Sequence, residues 1–501
     1  MAAPRKSTTP RRAAVARRVF DVDTAPRKRI AVKGSYDNAR HTDENEKLWQ
    51  FVDALSAAAA NTPQVRQIVR NRARYETANN SYAAGIVETL ANDTVGPVVQ
   101  LQLGDSERAQ AVERDFERWA ASVGLWQKVR TMRRAKAVDG EAFAQMFTNP
   151  LVPGPVKLDL RVVECDQIES WYSNVTRDDE IDGIRFDQYG NPVMYRMLKF
   201  HPGDHRGLSQ LAGDWIPAKF MLHYFRPTRP GQVRGISEIL PALGLFGQLR
   251  RYTAAVIEAA QRAAEISAVM QTDLLPDQIA AELADPLTTI DIERNTIMSL
   301  PEGWKLAQLK SEQPTTTYAM FKAEILNEIA RSINMPYNVA ACNSSGYNYA
   351  SGRLDHQTYD RSIDVERGDL RMAVLDRILA SWMDEYAARK GLTADDRAEF
   401  ADHEWHFAGR GHVDPNKEAN ADNVRFGNGS LTMAAYYAKQ GKDWKRESAQ
   451  FIRERIAEEM EWNKAREVAG LPPAPYPRGQ QQQSPAAPQE EPEQPEEGEE
   501  Q

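Results

Sequence analysis

The residue types best suited to catalysis cluster late in the chain. Three of the eight histidines fall within ten residues and lie among acidic side chains, in the set Asp402, His403, His406, His412 and Asp414. Imidazole nitrogens and carboxylate oxygens ligate Zn²⁺ and similar ions, and a bound ion can activate water for attack on a phosphodiester. A metal-dependent nucleic-acid enzyme that uses Asp402, His403, His406 and His412 is therefore one hypothesis for this sequence.

The spacing within this cluster favours a structural or interfacial loop instead. His403 and His406 are one residue too close for the pattern that places two zinc ligands four positions apart on one helix face. Gly409, Gly411 and Pro415 indicate irregular backbone, which holds no fixed ligand spacing. We expect neither a metal nor a cofactor.

Other catalytic signatures are missing from the sequence. The Gly441-Lys442 pair is followed by Asp443, whereas a phosphate-binding loop needs Ser or Thr there as a Mg²⁺ ligand. No serine stands between spaced glycines, as a nucleophile elbow requires. Asp139 and Glu141 supply two nearby carboxylates, but Asp-Gly at a helix-to-strand turn is ordinary turn chemistry. The sequence therefore predicts a protein that is not an enzyme.

An uncharged stretch near the middle of the chain offers a different kind of contact. Residues 336–352 carry no acidic or basic side chain, and they include Asn343, Ser344, Ser345, Gly346, Tyr347, Asn348 and Tyr349. Amide, hydroxyl and aromatic groups can touch nucleic acid by hydrogen bonding and stacking, without strong charge. A packed loop or a contact between subunits is the alternative interpretation.

Hydrophobic periodicity predicts helices first and strands afterwards. From Asp43 to about Arg134, apolar residues recur at spacings of three and four, with one helical segment continuous from Ser106 to Met132. Short strands are then predicted at 142–147, 157–162, 182–187, 193–200 and 221–225. Because the helices precede the strands in blocks, we expect an α+β fold.

Two long helices are predicted on either side of a turn-rich excursion. The first spans 240–270, and the second spans 318–334 with one apolar side made of Phe321, Ile325, Leu326, Ile329 and Ile333. The excursion, 273–314, carries strand-like runs at 296–300 and 304–309. An amphipathic helix follows over 353–390. A loop after His403 then leads to a helical pair at 431–440 and 445–468.

Composition and charge limit the class of protein. The 501 residues carry a formal net charge of −8, yet residues 1–34 hold ten basic and two acidic side chains. The residues after Arg478 hold seven Glu and no base. A protein that grips DNA needs phosphate-neutralising Lys and Arg, so the acidic body argues against gripping but not against loosely surrounding a duplex.

Both ends of the chain are expected to be disordered. The basic arm is interpreted as a solvated terminus or as a contact for nucleic acid or scaffold, and it superficially resembles an organellar transit peptide. Two cysteines, Cys165 and Cys342, cannot build a disulfide framework, which favours a reducing compartment. No apolar run is long enough to predict a membrane span.

Several segments of the sequence resemble the portal proteins of tailed bacteriophages, specifically the lambda family. The matching segments lie at 42–45, 70–76, 79–83, 135–143, 229–235, 312–318, 343–355 and 414–419. The strongest are Glu312-Gln313-Pro314-Thr315-Thr316-Thr317-Tyr318 and Asn343-Ser344-Ser345-Gly346-Tyr347-Asn348-Tyr349-Ala350-Ser351. Together they cover roughly residues 36–390 and leave both tails outside the resemblance.

The resemblance implies a ring of usually twelve identical subunits at one capsid vertex, through which double-stranded DNA enters and leaves. It implies docking of the terminase and later of head-completion and tail connector proteins, beside contacts with major capsid and scaffold proteins. It further implies a virion component that is assembled in the cytoplasm of the host bacterium, without a membrane. A monomeric adaptor that binds through its basic arm is a third hypothesis.

The family architecture also implies a division of the chain into wing, stem, clip, tunnel loop and crown. Mapped onto this chain, it gives a disordered basic arm at 1–35, a wing at 36–238, a first stem helix at 239–270, a clip at 271–316, a second stem helix at 317–335, a tunnel loop at 336–352, a long wing helix at 353–392, C-terminal wing and crown helices at 393–470, and a disordered tail at 471–501. Asn343 to Tyr349 would line the tunnel. Lys305, Lys310, Lys322 and Arg331 would face the channel or the subunit seams, with ordinary solvated charges as the alternative.

Overall fold

A computed structural model provides the structure of the protein. It describes residues 54–104, 106–168, 179–204, 212–265, 269–272, 304–307, 317–409 and 415–477. Its helices and strands, from Ala57 onward, belong to one compact unit that begins at Ser56. The predicted helix start at Asp43, the strand-like run at 296–300 and both predicted disordered tails, except 471–477, lie outside the described residues.

Five helices open this unit, and side-chain caps set their ends. The helices are α1 (Ala57–Ala60), α2 (Pro63–Asn79), α3 (Ser81–Val95), α4 (Glu107–Ser122) and α5 (Leu125–Asp139). Asn80 ends α2 and its side chain accepts hydrogen bonds from the first backbone N–H groups of α3. Gly124, at φ +63°, divides α4 from α5. The single helix predicted from Ser106 to Met132 is therefore wrong, since a left-handed residue cannot continue a helix.

Two antiparallel sheets follow, as the alternating pattern predicted. The first has the order β3 (Leu158–Val163), β2 (Glu141–Thr148), β8 (Met221–Phe225). The second has the order β4 (Glu180–Ile181), β5 (Ile184–Phe186), β6 (Pro192–Leu198), β7 (Gly213–Pro217). The strands predicted at 142–147, 157–162, 193–200 and 221–225 are confirmed to within a few residues. The strand predicted at 182–187 is confirmed only at 184–186, because Asp182 and Gly183 form the turn after β4, and both β4 and β7 were missed.

The helices that follow the sheets differ from the prediction at their ends. α6 spans Leu243–Glu265, and Val269–Thr272 forms strand β9, paired antiparallel with β10 (Trp304–Ala307). The helix predicted to reach residue 270 is therefore wrong over its last residues. The β-branched Val269 and Thr272 suit a strand, and pairing with Trp304–Ala307 satisfies their backbone.

The helices predicted at 318–334 and 353–390 are present, with a shorter loop between them. α7 spans Thr317–Ser332, α8 spans Tyr337–Ala340 and α9 spans Tyr349–Leu370. α9 continues through a π-helical turn, Arg371–Leu375, into α10 (Asp376–Lys390), which ends at left-handed Gly391. The interval 336–352 is thus not loop throughout, because α8 and the first turn of α9 occupy parts of it.

The last quarter of the chain joins the first through a strand pair that the sequence did not predict. β11 (Glu404–His406) pairs antiparallel with β1 (Gln100–Gln102), about three hundred positions away. α11 (Ala394–Glu399) precedes β11, and α12 (Pro415–Gly427), α13 (Met433–Lys439) and α14 (Trp444–Val468) follow it. The predicted helical pair is confirmed, while α12 and the strand pair were missed.

Within the described ranges, no helix combines the length and the apolarity needed to cross a bilayer.

Three apolar clusters form the core. The largest packs α4, α5 and α10 against one face of the β2 sheet, and Phe116, Trp119 and Trp382 lie at its centre. A second joins α2, α3, α6, α7 and α9. The third lies between the other face of the β2 sheet and the second sheet, around Phe143 and Tyr195. One end of α6 and one end of α7 therefore pack into the second cluster.

A fully buried carboxylate joins three distant segments next to the root of α6. Glu141 is 0% exposed, and its oxygens lie 2.6 Å from Arg70 Nη2 and 2.7 Å from Arg234 Nη2. His223 Nε2, at 3.1 Å, and the backbone N–H of Gly235, at 3.0 Å, complete its shell. Burial alone would raise the pKa of Glu141, but Arg234, His223 and Arg70 hold it well below its ordinary value. The carboxylate is therefore ionised and structural, which agrees with the interpretation of Asp139-Gly140-Glu141 as a turn.

Two glycines allow the backbone around Gly235 to approach the backbone at Gly140 closely. A Cβ on Gly140 would lie 2.2 Å from the backbone of Ile236, and one on Gly235 would lie 2.1 Å from the carbonyl oxygen of Gly140. Gly140 also has φ +90°. Neither position accepts a side chain, since backbone atoms fill the space.

A second buried carboxylate fixes the long helix. Glu366 on α9 accepts hydrogen bonds from Lys136 Nζ of α5 and from the hydroxyl of Tyr224 on β8, and Arg226 Nη2 lies 3.2 Å away. Lys136 is 0% exposed. Burial opposes ionisation, but Arg133 and Lys136 lower the pKa of Glu366 to about 2. The contacts of Glu366 with Lys136 and Tyr224 therefore fix α9 against α5 and against the β2 sheet.

We expect Glu366→Gln to lower the free energy of unfolding by about 3–5 kcal/mol, because it removes the nearest carboxylate from the buried Lys136 and leaves only Glu238, whose Oε1 lies 3.5 Å from Nζ. The midpoint of urea unfolding of the purified protein measures this. The double variant Glu366→Gln with Lys136→Met should recover much of the loss, since it removes both charges. A single variant with the midpoint of the natural protein would contradict the assignment.

Stability should also depend on this carboxylate as pH falls. The folded pKa of about 2 lies below the unfolded value, so the stabilisation is complete above about pH 4.5 and is lost as pH falls toward 2. The gap in unfolding temperature between the natural protein and Glu366→Gln should therefore narrow between pH 5 and pH 2.5. Replacement of the exposed Glu324 by Gln should produce no such narrowing. A gap that stays constant over this range would contradict the prediction.

Candidate nucleic-acid interface and exposed apolar faces

The helices α6 and α7 contact each other through aromatic side chains. The rings of Tyr252 on α6 and Phe321 on α7 lie 5.0 Å apart at 70°, and Tyr252 and Tyr318 lie 5.6 Å apart. Nearer the core, Phe246, Leu249, Leu326 and Ile329 are buried in the second cluster. The helices are thus fixed at one end by apolar packing and continue beyond it as a pair.

Beyond the packed end, this pair exposes apolar side chains. Ile257 is 53% exposed, Met320 66% and Phe321 51%. The apolar periodicity placed Phe321 on one face with Leu326 and Ile329, and its contact with Tyr252 of α6 agrees with that, although half of the Phe321 side chain is exposed. It contacts Tyr252 on one side only, because α6 covers one flank of α7. Periodicity identifies an apolar face but not how much of it one chain covers.

The four cations predicted to face the channel or the subunit seams, Lys305, Lys310, Lys322 and Arg331, have different surroundings. Lys322 Nζ lies 5.1 Å from the ring centre of Tyr82 on α3 and 5.7 Å from that of Tyr318. Burial would lower the pKa of Lys322, but its contact with Tyr82 raises it. Arg331, by contrast, is exposed in the last turn of α7, where a cation is favoured by the helix dipole. Lys305 stands in β10, where only the backbone is described, and Lys310 lies outside the described residues.

Successive turns build the segment between α7 and α9. Asn334, at φ +56°, ends α7, and Pro336 begins α8. After α8, the backbone N–H of Asn343 donates to the carbonyl oxygen of Asn338 at 3.0 Å. The side chain of Asn343 then accepts from the N–H of Ser345 at 2.9 Å, an Asx turn. Hydrogen bonds to its own backbone therefore hold the segment.

Glycine is required at one position of this segment. Gly346 has φ +94°, a conformation that side chains of L-residues rarely adopt, although nothing lies within 4 Å of a Cβ built there. The following Tyr347 stacks on Tyr337 of α8 at 6.5 Å and 9° between ring planes. The turn at Gly346 is therefore exposed to solvent, and the stacked rings of Tyr337 and Tyr347 lie on one side of it.

The exposed atoms of this loop are polar and neutral. Asn343, Ser344, Ser345, Gly346 and Asn348 are exposed and Tyr347 is half-buried, while the side chain of Tyr349 is not described. Such a surface can form hydrogen bonds with phosphate and sugar oxygens without retaining them by charge. Of the seven loop residues singled out from the sequence, the structure thus brings six into one turn.

The side chains of His403 and His406 do not point to a common site. His403 Nε2 lies 2.9 Å from Asp376 Oδ1, whereas His406 Nε2 lies 2.6 Å from Gln102 Oε1, on a different element. Asp402 is exposed, and His412 and Asp414 lie outside the described residues. Among the residues that the structure describes, this arrangement offers no observation in favour of a metal-dependent enzyme.

Another group of potential ligands brings Glu164, Asp166 and His201 together. Two contacts argue against a metal there. Arg74 Nη2 already lies 2.6 Å from Asp166 Oδ2. The N–H of Gly203 donates to His201 Nδ1 at 3.0 Å, so the neutral ring carries its proton on Nε2, the atom that faces the two carboxylates. We interpret the group as a network of ion pairs.

Comparison with known proteins assigns the family. The family model described as phage portal protein, lambda family, matches residues 45–367. The probable portal protein of Halomonas phage phiHAP-1 is 22% identical over 416 residues, covering 75% of this chain and 78% of that protein. Portal protein B of Escherichia phage lambda is 21% identical over 456 residues, covering 79% and 83%.

Solved structures give weaker similarities. The neck of an empty GTA particle matches with a TM-score of 0.45 and 16% identity, covering 83% of this chain and 98% of that one. The crystal structure of an HK97 family phage portal protein from Corynebacterium diphtheriae matches with a TM-score of 0.25 and 12% identity, covering 72% and 97%. The sequence match, which spans well over half of the chain, decides the assignment.

Three of the segments that carried the resemblance meet at Glu141. Arg70 and Arg74, Asp139 to Glu141, and Arg234-Gly235 come from the matching segments 70–76, 135–143 and 229–235, and all lie within the family match. The sequence could not assign them a role, because the paired residues lie 65 to 93 positions apart. The chain belongs to the lambda family of phage portal proteins, which form the DNA channel and the docking platform at one vertex of the capsid.

Proposed function

We propose that copies of this portal protein close head-to-tail into a ring, of twelve subunits as is usual in the family, with the stem helices beside the channel. The exposed apolar side chains on α6 and α7 are the observation that carries the proposal. Side chains that are half or more exposed in one chain, such as Met320, are covered if α6 of one subunit packs against α7 of the next. Two different surfaces then meet, and such contacts form a ring where the rotation closes.

α14 supports the same proposal. It is 25 residues long with no buried residue, and its exposed apolar side chains include Phe451, Ile452, Ile456 and Met460. A helix of this length gains most of its stability from packing of an apolar face. Contact with neighbouring copies supplies that packing in a ring.

The neutral loop is the proposed tunnel loop, with Asn343 to Tyr349 lining the DNA path. A duplex that moves through a channel is retarded by each phosphate that a fixed cation retains. The loop has no charged side chain from 336 to 352, and the whole chain is net acidic. Weak hydrogen bonds would position the duplex and still allow it to slide.

The remaining roles in the proposal concern partners. The β9–β10 ribbon belongs to the clip, which we assign to docking of the terminase and later of head-completion and tail connector proteins. Capsid and scaffold proteins would contact the outside of the ring, which is assembled in the cytoplasm of the host bacterium. The terminase would supply the motor activity, so the portal protein itself would be non-enzymatic.

Gly346→Val should impair DNA packaging and leave ring assembly intact, because valine does not tolerate φ +94° and the turn must change shape. Packaged DNA per particle and native mass of the purified ring measure the two effects. Ser345→Ala, in the same turn without a backbone restriction, is the control. Packaging by Gly346→Val at the natural level would remove the tunnel-loop assignment.

Ala259→Pro should prevent ring formation, because proline in the interior of α6 costs about 3 kcal/mol or more and kinks the helix. Native mass spectrometry of the purified protein measures the outcome. Ala259→Gly keeps the backbone N–H and costs about 1 kcal/mol, so that control should still assemble. Normal rings from the proline variant would contradict the role of α6 as a stem helix.

A further inference from the structure

A groove opens between the β1–β11 strand pair and the helices α13 and α14. Its volume is about 470 Å³, which is in the range of ligand sites. The residues that line it are Gln102, Gly104, Asp402, Glu404, His406, Ala434, Ala435, Ala438, Lys442 and Trp444. None of these residues belongs to the proposed stem or tunnel loop, so the groove has no role in the function proposed above.

The backbone holds this groove open. Leu101 and Trp405 turn one face of the strand pair into the largest core cluster, so Gln102, Glu404 and His406 lie on the opposite face. A Cβ on Gly409 would lie 2.6 Å from the carbonyl oxygen of Lys439, and one on Gly441 would lie 2.4 Å from that of Phe407. The strand and the helices thus touch directly at their backbones and leave a cleft beside the contact.

The charge of the cleft is negative. In the described part of the chain, no Lys or Arg forms an ion pair with Asp402 or with Glu404, and His406 Nε2 lies 3.9 Å from Glu404 Oε2. The one lysine of the lining, Lys442, is paired with Glu447 at 3.0 Å. Two carboxylates therefore remain available to a cation from outside.

The rest of the lining suits a long cationic side chain. Ala434, Ala435 and Ala438 form a small-residue floor on α13, and Trp444 is half-buried at the start of α14. The alkyl stem of arginine or lysine can lie along such a floor while its charged end meets a carboxylate or an indole face. An acidic ligand would find no unpaired Lys or Arg among the described residues that line the groove.

We propose that this groove binds an arginine- or lysine-bearing segment of a protein that docks on the ring. A guanidinium group would pair with Asp402 and Glu404, and its stem would lie over the alanines beside Trp444. Charge complementarity and the small-residue floor carry the proposal. It extends the docking role and does not depend on the tunnel-loop or stem assignments.

A fluorescent peptide with the sequence Gly-Arg-Ala-Arg-Gly, capped at both ends, tests this by anisotropy with the full-length protein. The same peptide with citrulline in place of arginine keeps the shape and removes the charge. The natural protein should bind the arginine peptide at least about tenfold more tightly than the citrulline peptide, because citrulline cannot form ion pairs with the two carboxylates. The double variant Asp402→Asn with Glu404→Gln should lose this preference.

A matched control separates the groove from general acidity. Glu459 and Glu461 are exposed on α14 away from the groove, so Glu459→Gln with Glu461→Gln changes the net charge equally. It should leave peptide affinity within about twofold of the natural value. Ala435→Phe, which fills the groove without changing charge, should weaken binding as the carboxylate variant does. The native mass of the ring should stay normal in all variants, which separates this test from those of the ring.

Equal affinity of the natural protein and the carboxylate variant would overturn the proposal. So would an equal loss in the Glu459/Glu461 control, since it would indicate general attraction to acid. Unchanged binding by Ala435→Phe would place the peptide elsewhere and would also overturn it.

Discussion

The cost of burying a charge organises this subunit. Glu141 and Glu366 are almost completely withdrawn from water, and an isolated carboxylate in such a place would be strongly unfavourable. Each is tolerated because cations from other segments reach it: Arg70 and Arg234 for Glu141, Lys136 for Glu366. The chain can satisfy both only in an arrangement that brings α2, α5, β2 and α9 together. Partial unfolding of any one of these would leave a buried ion unpaired.

These two networks set the positions from which the functional elements extend. Arg234 and Gly235 immediately precede the turn that starts α6, so the network around Glu141 holds the base of the first stem helix. Glu366 holds α9, which begins just after the neutral loop. The loop therefore connects α7, which is held by apolar packing, to α9, which is held by the ion pairs of Glu366. Hydrogen bonds within the loop and the contact of Asn338 Nδ2 with His356 Nε2 of α9, at 3.1 Å, then keep the loop in place.

The distribution of charge over the subunit agrees with a conduit. Of the described Lys and Arg side chains, five are buried and paired with carboxylates inside the subunit: Arg66, Arg70, Arg133, Lys136 and Arg234. The loop proposed for the tunnel is neutral over 336–352, and the groove beside α13 is lined by the carboxylates of Asp402 and Glu404. If both proposals hold, the neutral loop would serve a moving polyanion and the acidic groove would serve basic partners on separate surfaces of the subunit.

What the sequence determined by itself is local. Alternation predicted the strands at 142–147 and 221–225, periodicity predicted α7 and α10, and the absence of charge identified the loop around Gly346. Family resemblance supplied the order of the segments. What only the tertiary structure decided is non-local: the pairing of β1 with β11, the exposure of Phe321, the separation of His403 from His406, and the meeting of Arg70, Glu141 and Arg234. The physical reason is that periodicity records which face of an element avoids water, whereas the partner that covers it, or the counter-ion that neutralises it, comes from anywhere along the chain.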